Sequence, residues 1–180
     1  MRLQAGEPAK PFEVTDIFSN PIRLQDYAGQ KLMLSFYRYA SCPLCNLRVH
    51  QLAMRQDEFK NKEMNLLAFF QSPQASIARY VGRQDVPFPM VADPERKVYG
   101  QYGVESSWAG FFIAGVTKLP HLIRASLKGF FPGKMEGQTA LVPADFLIGP
   151  DLKIEVAYYG NDIGDHLPMK AIDAWLHTVL

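Results

Sequence analysis

The chain's only two cysteines, Cys42 and Cys45, stand three residues apart. The stretch around them, Lys31 to His50 (KLMLSFYRYASCPLCNLRVH), constrains the fold more than any other. It opens with an apolar run of strand length, Leu32-Met33-Leu34-Ser35-Phe36-Tyr37. It turns through Tyr39-Ala40-Ser41 and reaches Cys42-Pro43-Leu44-Cys45. Beyond that point Leu44, Leu47, Leu52 and Phe59 recur at helical spacing or its multiples, which predicts a helix over about 43–60. A buried strand therefore delivers a Cys-x-x-Cys pair to the first turn of a helix.

That placement has a chemical meaning. Thiolate is the reactive form of cysteine, and a helix N-terminus stabilises it through free N–H groups and the positive end of the dipole. Pro43 suits the first helical position, where its missing N–H costs nothing. Cys42 is expected at the edge of the helix and exposed, with Cys45 a turn deeper and within reach of a disulfide. An attacking thiolate with a resolving neighbour makes a dithiol redox centre. Arg38, four residues before Cys42, would add positive charge near the sulfur; the plainer reading makes it a surface salt-bridge partner. A zinc site is the rival for the pair. It would need four ligands, and beyond the two sulfurs the chain offers only His50, His121, His166 and His177. Inert buried thiols are the third reading.

The rest of the chain sets bounds. One domain spanning 1–180 is expected from its 180 residues, 48% hydrophobic and 21% charged. A net charge of +1 gives no global field for nucleic acid. The start, MRLQAGEPAKPFEV, lacks the apolar core of a signal peptide, and no run of about 18 apolar residues suggests a membrane span. With cysteines at redox-motif spacing, a reducing cytoplasm is the expected location.

In order, Phe12–Ile17 and Ile22–Leu24 flank the turn Ser19-Asn20-Pro21 and predict an N-terminal β-hairpin. Met64–Phe70 is apolar on both faces, as in a central parallel strand. Ser72-Pro73 reads as an N-cap and first helical position, with Ile77, Tyr80 and Val81 as the stripe. Met90-Val91 is a short strand, and Asp93-Pro94 starts a helix over Glu95–Tyr102. Ala144–Ile148 and Lys153–Tyr159 around Gly149-Pro150-Asp151-Leu152 predict an antiparallel hairpin. A last helix begins at Asp165 or His166, with Leu167, Ile172, Trp175, Leu176 and Val179 inward. Asp165-His166 reads either as an acid–base pair near the site or as a helix cap.

The segment 105–140 departs from this rhythm, being aromatic, apolar and basic. Trp108, Phe112, Val116 and Leu119 fall at helical spacing, as do Ile123, Leu127 and Phe130 beyond a break at Pro120. Three readings stay open: two short helices capping the core, an oligomer interface or lid over the thiols, or peripheral membrane contact.

The fold class that results is α/β, with a central mixed β-sheet, helices on both faces and a helical insertion at about 105–140. That layout resembles the thioredoxin fold, and residues 5–104 and 140–180 resemble the peroxiredoxin (alkyl hydroperoxide reductase/thiol-specific antioxidant, AhpC/TSA) family. The family carries Phe-Tyr-Pro…Thr-x-x-Cys after the equivalent strand. Phe36-Tyr37 matches; Arg38 stands where the family has Pro, and Cys42 where it has Thr, so the peroxidatic position falls on Cys45. The Cys-x-x-Cys itself resembles the thioredoxin form, in which the first cysteine attacks. Val142-Pro143 resembles the thioredoxin cis-proline beside the dithiol, which makes Pro143 a substrate-side residue with Arg38.

The resemblance implies an oxidoreductase in which Cys42 and Cys45 reduce a peroxide or disulfide without a cofactor. A thioredoxin- or glutathione-type reductant would restore the dithiol, and 105–140 could join a homodimer. The rival is a thioredoxin-fold binding module whose Cys-x-x-Cys is vestigial or holds zinc.

Overall fold

The computed structural model describes residues 1–107 and 119–177. A five-stranded mixed sheet has the order β5-β4-β3-β6-β7: β3 Lys31–Tyr37, β4 Met64–Phe70, β5 Met90–Ala92, β6 Ala144–Ile148 and β7 Ile154–Tyr159. Strand β4 runs parallel to β3 and β5, whereas β6 runs antiparallel to β3 and β7. Strands β1 (Glu13–Thr15) and β2 (Pro21–Arg23) form the expected hairpin as a separate two-stranded sheet. The Asp16 carboxylate holds its turn by accepting the Phe18 and Asn20 amides.

Every residue of β3 is buried, because both of its faces carry a core. The strand's period of two divides the work. Leu32, Leu34 and Phe36 point into one core, where Phe36 meets Phe69, Tyr99, Tyr102 and Phe146 at centroid separations of 4.9–5.9 Å. Met33 and Tyr37 point into the other, which holds both cysteines, Ile172 and Trp175. A slip of one residue in β3 would exchange these sets, so the register that fills the cores also aims the site.

The helices are α1 Pro43–Ala53, α2 Gln56–Asn61, α3 Gln74–Tyr80, α4 Lys97–Gln101, α5 Leu119–Leu127 and α6 Met169–Leu176. Four expectations are corrected. The single helix expected over 43–60 is two, broken at Met54-Arg55, where the Arg55 guanidinium pairs with Glu58 and with Asp173 on α6. Ser72 is not the cap of α3: its hydroxyl accepts the Ala40 amide at 2.8 Å, and Pro73 takes the cap position without a side-chain bond. The last helix begins at Met169 after Pro168, and Asp165 does not cap it. Its carboxylate accepts the Tyr158 hydroxyl and the Asn161 amide.

The fourth correction concerns 105–140. Pro120 lies in the first turn of α5. Leu122 and Ala125 turn inward; of the expected stripe, Ile123 and Leu127 face outward and Phe130 packs against His50. Trp108, Phe112, Val116 and Val179 lie outside the described residues.

Tyr99 ties α4 to the sheet. Its buried hydroxyl approaches the Tyr37 carbonyl at 2.6 Å and the Phe69 carbonyl at 2.8 Å, bridging the C-terminal ends of β3 and β4. Tyr99→Phe leaves two buried carbonyls without that donor. It should lower stability by about 1–3 kcal/mol with no change in the denaturant slope. Urea unfolding checks this, and an unchanged midpoint would show that the bridge contributes nothing.

Candidate active site

The site lies where β3 ends and α1 begins. The Tyr39-Ala40-Ser41 turn is closed by a backbone bond from the Cys42 amide to the Tyr39 carbonyl, 3.0 Å. It is fixed further by Asn46, whose side-chain amide donates to the Ala40 and Cys42 carbonyls, and by the Ser72 hydroxyl. Cys42 is the N-cap residue of α1 and Pro43 opens the helix, as the sequence implied. Both cysteines are free thiols.

Cys42 is not exposed as expected; only 1% of its surface is accessible. The 132–139 segment explains why. The Ser41 hydroxyl donates to the Lys134 carbonyl at 2.6 Å, Ser76 to Glu136 at 2.7 Å, and Gln71 exchanges two hydrogen bonds with the Gln138 backbone. The segment is thereby drawn across the cysteine turn. Beneath it the Cys42 sulfur borders a cavity of about 380 Å³, lined by Arg38, Tyr39, Leu44, Leu122, Met135 and Ile163 among others. The lining is largely apolar.

Arg38 is buried, which excludes the surface salt-bridge reading. One guanidinium nitrogen approaches the Cys42 sulfur at 3.5 Å, the other donates to the Thr139 carbonyl, and the group lies 4.8 Å from the Tyr39 ring centroid. The two thiols differ sharply in acidity. The Cys45 S–H donates to the Cys42 sulfur, and that hydrogen bond does most to hold Cys42 below the usual thiol range. Burial opposes this, but the Arg38 charge and the Cys45 and Leu44 amides at the helix start add to it. None of those amides makes a full capping hydrogen bond. Burial pushes Cys45 well up, and its donation to Cys42 raises it further.

A second polar cluster lies on the same side of the sheet. The Asp145 carboxylate on β6 accepts the Ser35 hydroxyl at 2.6 Å and the Leu167 amide at 2.7 Å, and pairs with His166 Nδ1 at 3.1 Å. Burial alone would raise its pKa, but the charge and hydrogen bond of His166, the Arg48 charge and the Ser35 bond bring it down to about 2. His166 thus pairs with Asp145 and not with its neighbour Asp165. Arg48 on α1 donates to the Leu167 carbonyl at 2.7 Å, anchoring the helix that carries the cysteines. Sequence reasoning missed Asp145, Gln71 and Ser41. A charged residue inside the otherwise apolar strand ADFLI at 144–148 was the available signal for Asp145.

Pro143 is corrected. The Val142–Pro143 bond is trans, and Pro143 does not line the cavity over Cys42. The chain there is held by bonds from Val142 N to the Glu105 carbonyl and from Gly160 N to the Pro143 carbonyl, which fix it toward the 105 segment and β7. His50, the histidine nearest the two cysteines in sequence, contacts Lys128 at 3.1 Å and the Phe130 ring. Among the described residues no cluster of three metal-ligating side chains forms.

The sheet order and the dithiol at a helix start define a thioredoxin-fold oxidoreductase of the peroxiredoxin kind. The family model described as the AhpC/TSA family matches residues 5–157, and the chain belongs to that family. Peroxiredoxin Bcp of Escherichia coli is 27% identical over 128 residues, 70% of this chain and 82% of the relative. The thiol-disulfide oxidoreductase ResA of Halalkalibacterium halodurans is 28% identical over 102 residues, covering 56% of this chain and 57% of the relative. Peroxidoxin BcpB of Mycobacterium tuberculosis shares the fold at a TM-score of 0.69 and 18% identity, over 97% of this chain and 95% of that one. The rival reading, a binding module with an inert or zinc-holding motif, is not favoured.

If Arg38 holds the Cys42 thiolate, Arg38→Met should raise the Cys42 thiol by about 1–3 pH units. Thiolate absorbance at rising pH, measured in a Cys45→Ser background, checks it. Iodoacetamide at sub-stoichiometric dose should also label Cys42 before Cys45 near neutral pH. An unchanged titration in the Arg38 variant would remove Arg38 from the site.

Proposed function

We propose that the chain reduces a hydroperoxide at Cys42 and regenerates itself through Cys45. The observation that carries this reading is the Arg38 nitrogen 3.5 Å from a Cys42 sulfur that borders an apolar cavity. The Cys42 thiolate attacks one peroxide oxygen; an S–O bond forms, the O–O bond breaks, and the leaving oxygen takes a proton to become an alcohol or water. The sulfur is then a sulfenic acid. The Cys45 sulfur attacks it, an S–S bond forms and the S–O bond breaks, and the hydroxide leaves as water with the Cys45 proton. A thioredoxin- or glutathione-type thiol returns two electrons by disulfide exchange.

Aligning the chain with the family motif would give Cys45 the attack. The acidity order favours the exchanged roles: Cys42 is the lowered thiol and Cys45 the raised one. The thiolate fraction sets the attacking sulfur, while a raised thiol is suited to hold its proton until a sulfenic acid appears beside it. A protein disulfide is the weaker substrate, because Cys42 lies at the base of a cavity under the 132–139 segment, where a small hydroperoxide fits more readily. The alkyl portion of such a peroxide would lie against Leu44, Leu122, Met135 and Ile163. The reading includes a cytoplasmic location, where a thiol pool keeps the dithiol reduced. No helix of the described residues is long and apolar enough to cross a membrane.

The test is trapping. With one equivalent of cumene hydroperoxide and dimedone, Cys45→Ser should carry the sulfenic adduct on Cys42. Cys42→Ser should consume peroxide at least about 100-fold more slowly. The wild type should form an intramolecular disulfide and run as a monomer on a non-reducing gel. An adduct on Cys45 in the Cys42→Ser variant, at undiminished rate, would exchange the two roles.

A further inference from the structure

Helix α5 has two apolar faces, and only one is covered. Leu122 and Ala125 turn inward, and Leu122 with Ser126 lines the cavity over Cys42. Leu119, Ile123 and Leu127, spaced by four residues, form a stripe on the outside, 56%, 54% and 83% exposed. At about 100° per residue they span one continuous arc, with Arg124 beyond one side and Ser126 at the cavity on the other, while Lys128 follows the end of the helix and meets His50 at 3.1 Å. From Leu119 to Met135 the chain has no Asp or Glu, while Arg124, Lys128 and Lys134 are basic. Met135, which also lines the cavity, is itself 59% exposed.

We propose that this face of α5 docks on an anionic lipid surface. Aliphatic side chains projecting in a row, with basic groups along the edge of the row, match a bilayer interface: the apolar tips enter the acyl boundary and the bases meet lipid phosphates. Charge argues against a second copy. A two-fold pairing of this face would bring the basic groups of both copies together, with no Asp or Glu from Leu119 to Met135 to offset them. The stripe also lacks the Tyr and Trp that dominate protein contacts. Because Leu122 and Ser126 lie on the same helix, docking would set the mouth of the Cys42 cavity close to the acyl layer. That consequence rests on the peroxidase reading; the docking itself does not.

The experiment is co-sedimentation of the reduced chain with phosphatidylcholine vesicles, with and without phosphatidylglycerol. Turnover of cumene hydroperoxide is measured in parallel without vesicles. Binding should require phosphatidylglycerol, weaken with salt, and fall about tenfold or more in Ile123→Glu/Leu127→Glu and in Arg124→Glu/Lys128→Glu. Vesicle-free turnover and urea midpoint should be unchanged in both variants. Milder Ile123→Gln/Leu127→Gln should lie between, so a folding defect in the Glu variant does not decide the matter. Absence of binding to anionic vesicles, or binding that all variants retain, overturns the proposal. So does a concentration-dependent dimer that Ile123→Glu/Leu127→Glu dissolves. Vesicle binding without any peroxide turnover would sustain docking while refuting the peroxidase reading.

Discussion

The site depends on one mutual arrangement: a buried guanidinium against a buried sulfur at the start of a helix. Neither group is stable there alone. Removing a guanidinium or a thiolate from water costs several kcal/mol unless opposite charge and hydrogen bonds compensate. Arg38 meets that cost with the Cys42 sulfur, the Thr139 carbonyl and the Tyr39 ring. The thiolate meets it with Arg38, the Cys45 S–H and the first amides of α1. The arrangement therefore selects the ionised form of one cysteine and the protonated form of the other. That asymmetry is what a two-step attack and resolution needs.

The fold holds this pair in place from several sides. Strand β3 is locked by two cores, so its end cannot drift. Asn46 and Ser72 fix the turn, while Asp145, His166 and Arg48 anchor α1 to the chain that leads into α6. The 132–139 segment closes the remaining side through Ser41, Gln71 and Ser76. These anchors are polar and mostly long-range.

What the sequence made legible follows from periodicity and local rules. The strand–turn–helix unit, the doubly buried β4 and the β6–β7 hairpin are each carried by one short continuous stretch of chain. What escaped depends on partners far along the chain. The long helix breaks at Met54-Arg55, where Asp173, 118 residues away, pairs with the Arg55 guanidinium, while the apolar spacing runs on to Phe59 regardless. Ser72 looks like a cap, but Ala40 claims its hydroxyl. A lid over the thiols was one reading of 105–140, but Cys42 was still expected in solvent, because nothing periodic marks 132–139 as the part that covers it. The stripe on α5 was visible, but a stripe does not say which way it faces. Pro143 came from resemblance alone, and the trans bond removes that basis.

The central claim is that Cys42 reacts as a thiolate stabilised in place. The most direct measurement is the second-order rate of hydrogen peroxide with the reduced Cys45→Ser variant, followed by stopped flow as a function of pH. Serine keeps a hydroxyl donor at position 45 but cannot form the disulfide, so the first ionisation of Cys42 is read without resolution. The account predicts a rate that rises with one ionisation below the usual cysteine value of about 8.5 and is flat above it. It also predicts that this ionisation moves up when Arg38 is replaced by Met. A rate that keeps rising through the ordinary cysteine range, unchanged by the Arg38 substitution, would contradict it.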